Sequence, residues 1–244
     1  MSTTPHSEPR TYEDADYEPW LTMKIGLLER VIRLLTLWYW NHVFRAEAHG
    51  VEHLPETGAY LMVPNHSSYA DPFLQAAPQR RNLRFMAKST MFRYPVVSHF
   101  MKGGGGFPVN RGRGDVFAME LARRLLRDGW PVVVYPEGTR YRQSAELGPA
   151  KRGAARLALE TGVPVVPAAT WGVKRREVYG RPRWRRPRAV TVFGAPLDFS
   201  HLELTPEHVD EVRDIVWERV HELYDEARRI AESRSSRRGG QHGS

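Results

Sequence analysis

Tyr60-Leu61-Met62-Val63-Pro64-Asn65-His66-Ser67-Ser68-Tyr69-Ala70-Asp71-Pro72 begins as a short apolar run and ends in a polar loop. The run Tyr60 to Val63 reads as a buried strand. Residues five apart on an ideal helix point about 140° away from each other, so a regular helix does not bring His66 and Asp71 together. A turn does. Pro72 disfavours helical geometry for Asp71 and suits the first position of a new helix, which makes Asp71 a candidate N-cap. This places His66 at a strand end and Asp71 at a helix start, with imidazole and carboxylate facing across the loop. A His beside an Asp is by itself a common loop contact. Its weight depends on the rest of the chain.

Working outward from that loop, strands and helices alternate. Residues 45–51 read as a strand, 72–77 as a short helix, and 83–87 as a strand leading to Lys88. Asp115 caps a helix to residue 128, with Phe117, Leu121 and Leu125 on one face and Gly129 as the stop signal. Pro131-Val132-Val133-Val134-Tyr135 reads as a central strand. A helix over 154–160 ends at Gly162, and residues 163–167 are apolar like a strand despite two prolines. Residues 189–193 form a further strand. Thr205-Pro206 opens a final helix whose stripe is Val209, Val212, Val216, Val220, Leu223, Ala227 and Ile230. The alternation predicts an α/β layer fold, and the architecture expected is one domain over 45–231 with a central mixed sheet flanked by helices.

The flanks differ in character. Residues 1–19 are polar and acidic, show no cleavable secretory signal, and read as a disordered tail. Residues 232–244 are rich in Ser, Arg and Gly and read as a second, basic disordered tail. Residues 20–44 are the most apolar long stretch. Leu27, Leu28, Val31, Leu34, Leu35 and Trp38 recur at helical spacing, but Glu29, Arg30 and Arg33 interrupt too often for a simple spanning helix. Two placements fit this amphipathic pattern equally: a helix lying in a bilayer surface, and a helix packed on the protein's own core.

The chain has 244 residues, enough for a substantial core, and carries a formal net charge of +8. That charge favours an anionic partner: nucleic acid, an acidic membrane surface or a phosphorylated substrate. With no cysteine there is no disulfide, no thiol nucleophile and no Cys-ligated metal. His42, His49, His53 and His99 show no metal-ligand spacing. The run Gly103 to Gly106 lacks the G-x-x-x-x-G-K-[ST] pattern of a phosphate loop, so a hinge or close-packing turn is the better reading.

Asn65-His66, Ser68 and Asp71 resemble the N-H-x-S-x-x-D block of the glycerolipid acyltransferases, the family that includes bacterial 1-acyl-glycerol-3-phosphate acyltransferases. Gly105-Gly106-Phe107-Pro108-Val109-Asn110-Arg111 resembles the family's second block, an apolar stretch ending in Arg. Tyr135-Pro136-Glu137-Gly138-Thr139-Arg140 matches the third, usually F-P-E-G-T-R-S, and Val163-Pro164-Val165-Val166-Pro167 is similar to the fourth. The four occur in the family's order. Tyr135 stands where Phe is usual, Tyr141 where Ser is common, and Pro108 at an aliphatic position; these departures bear on acceptor preference.

The resemblance implies an enzyme moving a fatty acyl group from acyl-CoA or acyl-carrier protein to the free hydroxyl of 1-acyl-sn-glycerol-3-phosphate, giving phosphatidate. It implies no metal and no cofactor beyond that co-substrate. The residues support the chemistry separately. Acylating an alcohol requires removal of the hydroxyl proton, and an imidazole with a pKa near 6.5 is suited to take it. Asp71 would fix its tautomer and stabilise the imidazolium. No serine sits in G-x-S-x-G, so direct transfer without an acyl-enzyme is expected. Arg111 and Arg140 can grip an acceptor phosphate. The resemblance assigns the second and third blocks to the acceptor, which adds Glu137, Gly138 and Thr139; Glu137 fits structural anchoring about as well. Lys88, Lys102 and Lys151 are further possible phosphate or donor contacts.

Residues 174–188 hold Lys174, Arg175, Arg176, Arg181, Arg183, Arg185, Arg186 and Arg188 against Glu177 alone, with Tyr179 and Trp184 interleaved. Such a stretch suits nucleic acid or anionic lipid, and residues 20–44 favour lipid. The implied location is the cytoplasmic face of the cell membrane, as a peripheral or monotopic protein. Other readings are acylation of a different lysophospholipid or lipid-linked acceptor, and a non-catalytic lipid- or nucleic-acid-binding protein.

Overall fold

The structure, a computed structural model, describes residues 14–22, 26–109, 115–141, 146–173 and 189–239. Residues 1–13, Arg111, the basic segment 174–188 and residues 240–244 lie outside them, and so do the readings that fall there.

Among the described residues seven strands form one sheet in the order β1-β7-β6-β2-β5-β3-β4. They are β1 (Glu47–His49), β2 (Leu61–Pro64), β3 (Arg84–Lys88), β4 (Gly106–Val109), β5 (Val132–Val133), β6 (Val165–Trp171) and β7 (Val190–Phe193). All neighbours run parallel except β6 and β7. The sheet is therefore mixed, as expected. Its middle strands are buried on both faces, the physical reason they read as unbroken apolar runs rather than alternating ones.

Side-chain alternation still sorts the two faces. Leu61, Val63, Val132 and Val134 point to one side and join a core with Phe117, Leu121 and Leu125 of α5 (Val116–Arg127), Leu157 of α6 (Gly153–Thr161) and Val212 of α7 (Pro206–Gly239). Tyr60, Met62, Val133 and Tyr135 point to the other side. There the cover is α3 (Asp71–Ala76), with α2 (Leu27–Tyr39) and α4 (Pro95–Gly103) beyond it. The functional residues gather on this second face.

Several predicted signals appear as read. Asp115 accepts a hydrogen bond from Ala118 N at 3.1 Å as the N-cap of α5, and Gly162 ends α6 with φ +63°. Pro167 sits inside central β6 without breaking a ladder. The β6–β7 pairing stops at Ala168–Phe193, and the Pro167 carbonyl accepts from Gly194 N at 2.8 Å. The glycine run proves to be a close-packing turn: Gly105 has φ +81°, and a Cβ there would lie 2.2 Å from the Leu83 carbonyl oxygen.

Other bounds differ. The apolar N-terminal stretch is two helices, α1 (Asp14–Leu21) and α2, followed by a π turn over Trp40–Phe44. Tyr17 of α1 stacks on Phe117 at 4.8 Å between centroids, so this end of the predicted tail is anchored to the core. The helix predicted to end before residue 232 continues to Gly239. The predicted strand over 45–51 shortens to β1 because Val51–His53 turns into a 3-10 helix. A 3-10 turn (Ser89–Arg93) and α4 occupy a region where the periodicity gave no helix, although Pro95 opens α4 in a favoured position.

On α2 the predicted apolar stripe faces outward. Leu27, Val31, Leu34, Leu35 and Trp38 are exposed, Leu27 to 78% and Leu34 to 67%, while Ile32 and Thr36 face inward. Val96 on neighbouring α4 is 83% exposed. Among the described residues no helix is long and apolar enough to cross a membrane.

Candidate active site

His66 follows the carboxyl end of β2, and the Pro136-Glu137 turn follows the carboxyl end of the adjacent parallel strand β5. Ligands bind at this end of open parallel sheets because the loops there diverge from a common edge. The loop after β2 is tied back to the sheet by Asn65. Its amide accepts from Thr170 N at 2.8 Å and donates to Thr170 O at 3.1 Å on β6.

Asp71 is fully buried and His66 nearly so. His66 Nδ1 lies 2.9 Å from Asp71 Oδ2, and Ser67 N and Ser68 N donate to the same oxygen at 2.6 and 2.8 Å. A carboxylate oxygen accepts, so Nδ1 carries the proton and Nε2 is the basic nitrogen. Asp71 is the first residue of α3 rather than its N-cap, which is Ala70 and makes no side-chain cap hydrogen bond. The carboxylate closes the His66 loop instead. Asp71 Oδ1 has no hydrogen-bond partner among the described residues.

The third block wraps around the same histidine. Glu137 Oε1 accepts from His66 N at 2.7 Å, its Oε2 accepts from Gly148 N at 3.2 Å, and Tyr141 N donates to the His66 carbonyl at 2.8 Å. Glu137 is thus an anchor of the histidine backbone, the structural one of its two readings. The Tyr135 ring stacks on the imidazole with centroids 4.0 Å apart and planes 22° from parallel.

A cavity of about 470 Å³ opens beside the pair. Its walls are mainly apolar, with Ile32 from α2, Phe73 from α3, Phe85 and Met86 from β3, and Val97 and Met101 from α4. His66, Lys88 and Arg140 line it too. The size and the few polar groups in an apolar lining suit a small-molecule ligand with a charged end and a greasy remainder. The Arg140 guanidinium lies over the Tyr69 ring, 3.4 Å from its centroid, and buried Nη1 has no hydrogen-bond partner among the described residues. Such a nitrogen is a ready donor for an oxyanion.

The structure therefore gathers His66, Asp71, Lys88 and Arg140. It does not gather every residue predicted for substrate. Thr139 is exposed and off the cavity wall, and Glu137 is spent on backbone. Gly138 makes the turn with φ +66°, and Lys151 arches over it, where a Cβ would lie 2.8 Å from Nζ. Lys102 points to Trp20, its Nζ 5.2 Å from the ring centroid, and does not line the cavity. Sequence reasoning missed Gln75, whose Oε1 accepts from Tyr135 Oη at 2.8 Å, and gave no role to Tyr69. A buried amide one helical turn after Asp71 was the available signal.

An α/β sheet bearing a His–Asp pair at a strand end, over an apolar cavity with a cation in its wall, defines a candidate acyl-transferring site. The Acyltransferase family matches residues 45–171, just over half of the chain, and the chain belongs to that family. The chain is 28% identical over 176 residues to a 1-acyl-sn-glycerol-3-phosphate acyltransferase of Bacillus subtilis (strain 168), covering 70% of this chain and 84% of that protein. It is 33% identical over 132 residues to 1-acyl-sn-glycerol-3-phosphate acyltransferase BAT2, chloroplastic, of Brassica napus, covering 53% of this chain and 38% of that one. The chain thus spans well under half the length of the plant relative. In fold it resembles the crystal structure of the 1-acyl-sn-glycerophosphate (LPA) acyltransferase PlsC from Thermotoga maritima, with TM-score 0.59, 24% identity, and coverage of 80% of this chain and 78% of that one.

Proposed function

We propose that this protein transfers a fatty acyl group from acyl-CoA or acyl-carrier protein to the free hydroxyl of 1-acyl-sn-glycerol-3-phosphate, giving phosphatidate. The observation that carries this reading is the buried His66–Asp71 pair facing the apolar cavity that Arg140 also lines. His66 Nε2 takes the proton of the acceptor hydroxyl as its oxygen bonds to the thioester carbonyl carbon. Asp71 stabilises the resulting imidazolium. Collapse of the tetrahedral intermediate breaks the carbon–sulfur bond, and the proton leaves with the thiolate. The hydroxyl attacks directly, without an acyl-enzyme. Arg140 holds the phosphate, with Arg111 and Lys88 as further cations.

A positioned base contributes roughly 10²–10⁴-fold, so substrate alignment in the cavity carries much of the remainder. The exposed stripe of α2 and the exposed Val96 support a peripheral placement with the apolar face seated in a bilayer surface, for which we propose the cytoplasmic side. The lysolipid acceptor would then reach the cavity from the membrane. The test is acyl transfer by purified protein from labelled acyl-CoA across a panel of lysolipids, with His66→Ala as control. Turnover by that variant equal to wild type overturns the base assignment. Indifference to the head group overturns the phosphate role of Arg140.

A further inference from the structure

Tyr135 ends the segment continuing β5, so its ring shares the sheet face of Tyr60 and Met62 and arrives under the loop after β2. There it stacks face to face with the His66 imidazole, 4.0 Å between centroids and 22° between planes. Its hydroxyl donates to Gln75 Oε1 at 2.8 Å in a buried setting. Gln75 is fully buried and lies four residues after Asp71 on α3, so both side chains leave the same face of one short helix. That helix grips the imidazole twice: at the Nδ1 edge through Asp71, and over the ring face through Gln75 and Tyr135.

We propose that Tyr135 is a positioning residue for His66, its ring pinned by Gln75 against the imidazole so as to favour the imidazolium that forms when the acceptor hydroxyl gives up its proton. The inference rests on His66 being the base. The face of a phenol ring is the negative end of its quadrupole and attracts a cation seated on it, the more so where water is excluded. A neutral imidazole gains much less from the same face. The contact thus strengthens as the proton arrives, the condition for lowering a barrier rather than only binding substrate. Gln75 adds constraint: with the hydroxyl tied, the ring cannot swing toward the cavity that both rings line.

The test compares Tyr135→Leu, Tyr135→Phe and Gln75→Met with wild type and His66→Ala, measuring kcat, KM for both substrates and the pH–rate profile. A contact of this kind corresponds to about threefold to thirtyfold in rate. Tyr135→Leu keeps an apolar residue of moderate size but removes the ring. Its kcat should fall about tenfold with the acceptor KM held, and the acid limb of the profile should move to lower pH by about half a unit to one unit. Tyr135→Phe keeps the face and should recover most of that loss. Gln75→Met keeps volume but frees the hydroxyl, and should move the limb in the same direction by less. It decides the matter if Tyr135→Leu does not fold. An unmoved acid limb in the folded variants, or a loss appearing only as a raised KM, overturns the inference. With His66→Ala inactive, that outcome leaves the base reading intact; with His66→Ala as active as wild type, the base reading itself has failed.

Discussion

Replacing Asp71 by Asn separates two jobs that its carboxylate performs. Three donors converge on Oδ2: the His66 Nδ1 proton and the backbone N–H groups of Ser67 and Ser68. An amide NH₂ at that position would face three donors, so the Asn oxygen takes the place of Oδ2. The loop hydrogen bonds and the tautomer survive, the negative charge is lost, and the NH₂ takes the buried position of Oδ1. A hydrogen bond to a charged acceptor contributes about 1.5–3 kcal/mol against about 1 for a neutral one, and here the difference falls on the imidazolium. With the pair buried, the upper part of that difference applies, about 1–2 kcal/mol of transition-state stabilisation, roughly 5- to 30-fold in kcat. The acid limb should move to lower pH. Asp71→Ala acts differently, because it strands both backbone donors in the interior. That costs about 1–3 kcal/mol per group, so this variant should lose several kcal/mol of stability as well as activity. The assay is simple for this chain. It has no cysteine, so a thiol-reactive chromophore reads the thiol released from acyl-CoA without protein background. Chemical denaturation gives the stability. Refutation would be Asp71→Asn retaining kcat within about threefold of wild type with an unmoved acid limb, or Asp71→Ala unfolding no earlier than Asp71→Asn.

Arg140→Ala should raise the acceptor KM and lower kcat/KM by roughly 10- to 100-fold for a phosphate-bearing lysolipid, with far less effect on a neutral one. A loss equal for both acceptors counts against the phosphate contact. Leu34→Ser with Leu35→Ser should leave the melting temperature within a few degrees, since both side chains are exposed, but reduce flotation with anionic vesicles. Undiminished flotation counts against the membrane face. Burial pushes the Glu160 carboxyl up, yet the hydrogen bonds and charges of Arg156 and Arg123 prevail and hold its pKa below the ordinary value. A depressed carboxyl stabilises the fold fully above its unfolded pKa of about 4.5 and loses that contribution as pH falls through the folded value. Glu160→Gln should therefore flatten the stability loss between about pH 5 and 3, measured by denaturant titration; a slope identical to wild type would show the cluster to be idle.

The core was legible where one residue's neighbours along the chain settle its surroundings. The stripe Val209, Val212, Val216, Val220 and Leu223 is buried along α7 as its spacing demands, and Asp115 and Gly162 cap α5 and α6. The His66–Asp71 contact was legible too, because a proline and a five-residue spacing leave a turn as the only way to join them. The substrate list was less so. Glu137, Thr139 and Lys102 carry suitable chemistry, but whether a side chain reaches a cavity depends on which groups have already claimed it. Two backbone donors claim Glu137, and the Trp20 ring holds Lys102.

Chemistry of side chains and periodicity along the chain thus sufficed for an α/β sheet, a histidine base candidate and its carboxylate, because those features depend on contacts within a few residues or on repeats of two and 3.6. Packing alone assigned the outward stripe on α2, the cavity walls, the anchoring role of Glu137 and the Tyr135–Gln75 pair. Each of these joins segments tens of residues apart. Which groups meet there follows from strand order and from which sheet face a residue occupies, and a linear pattern carries neither.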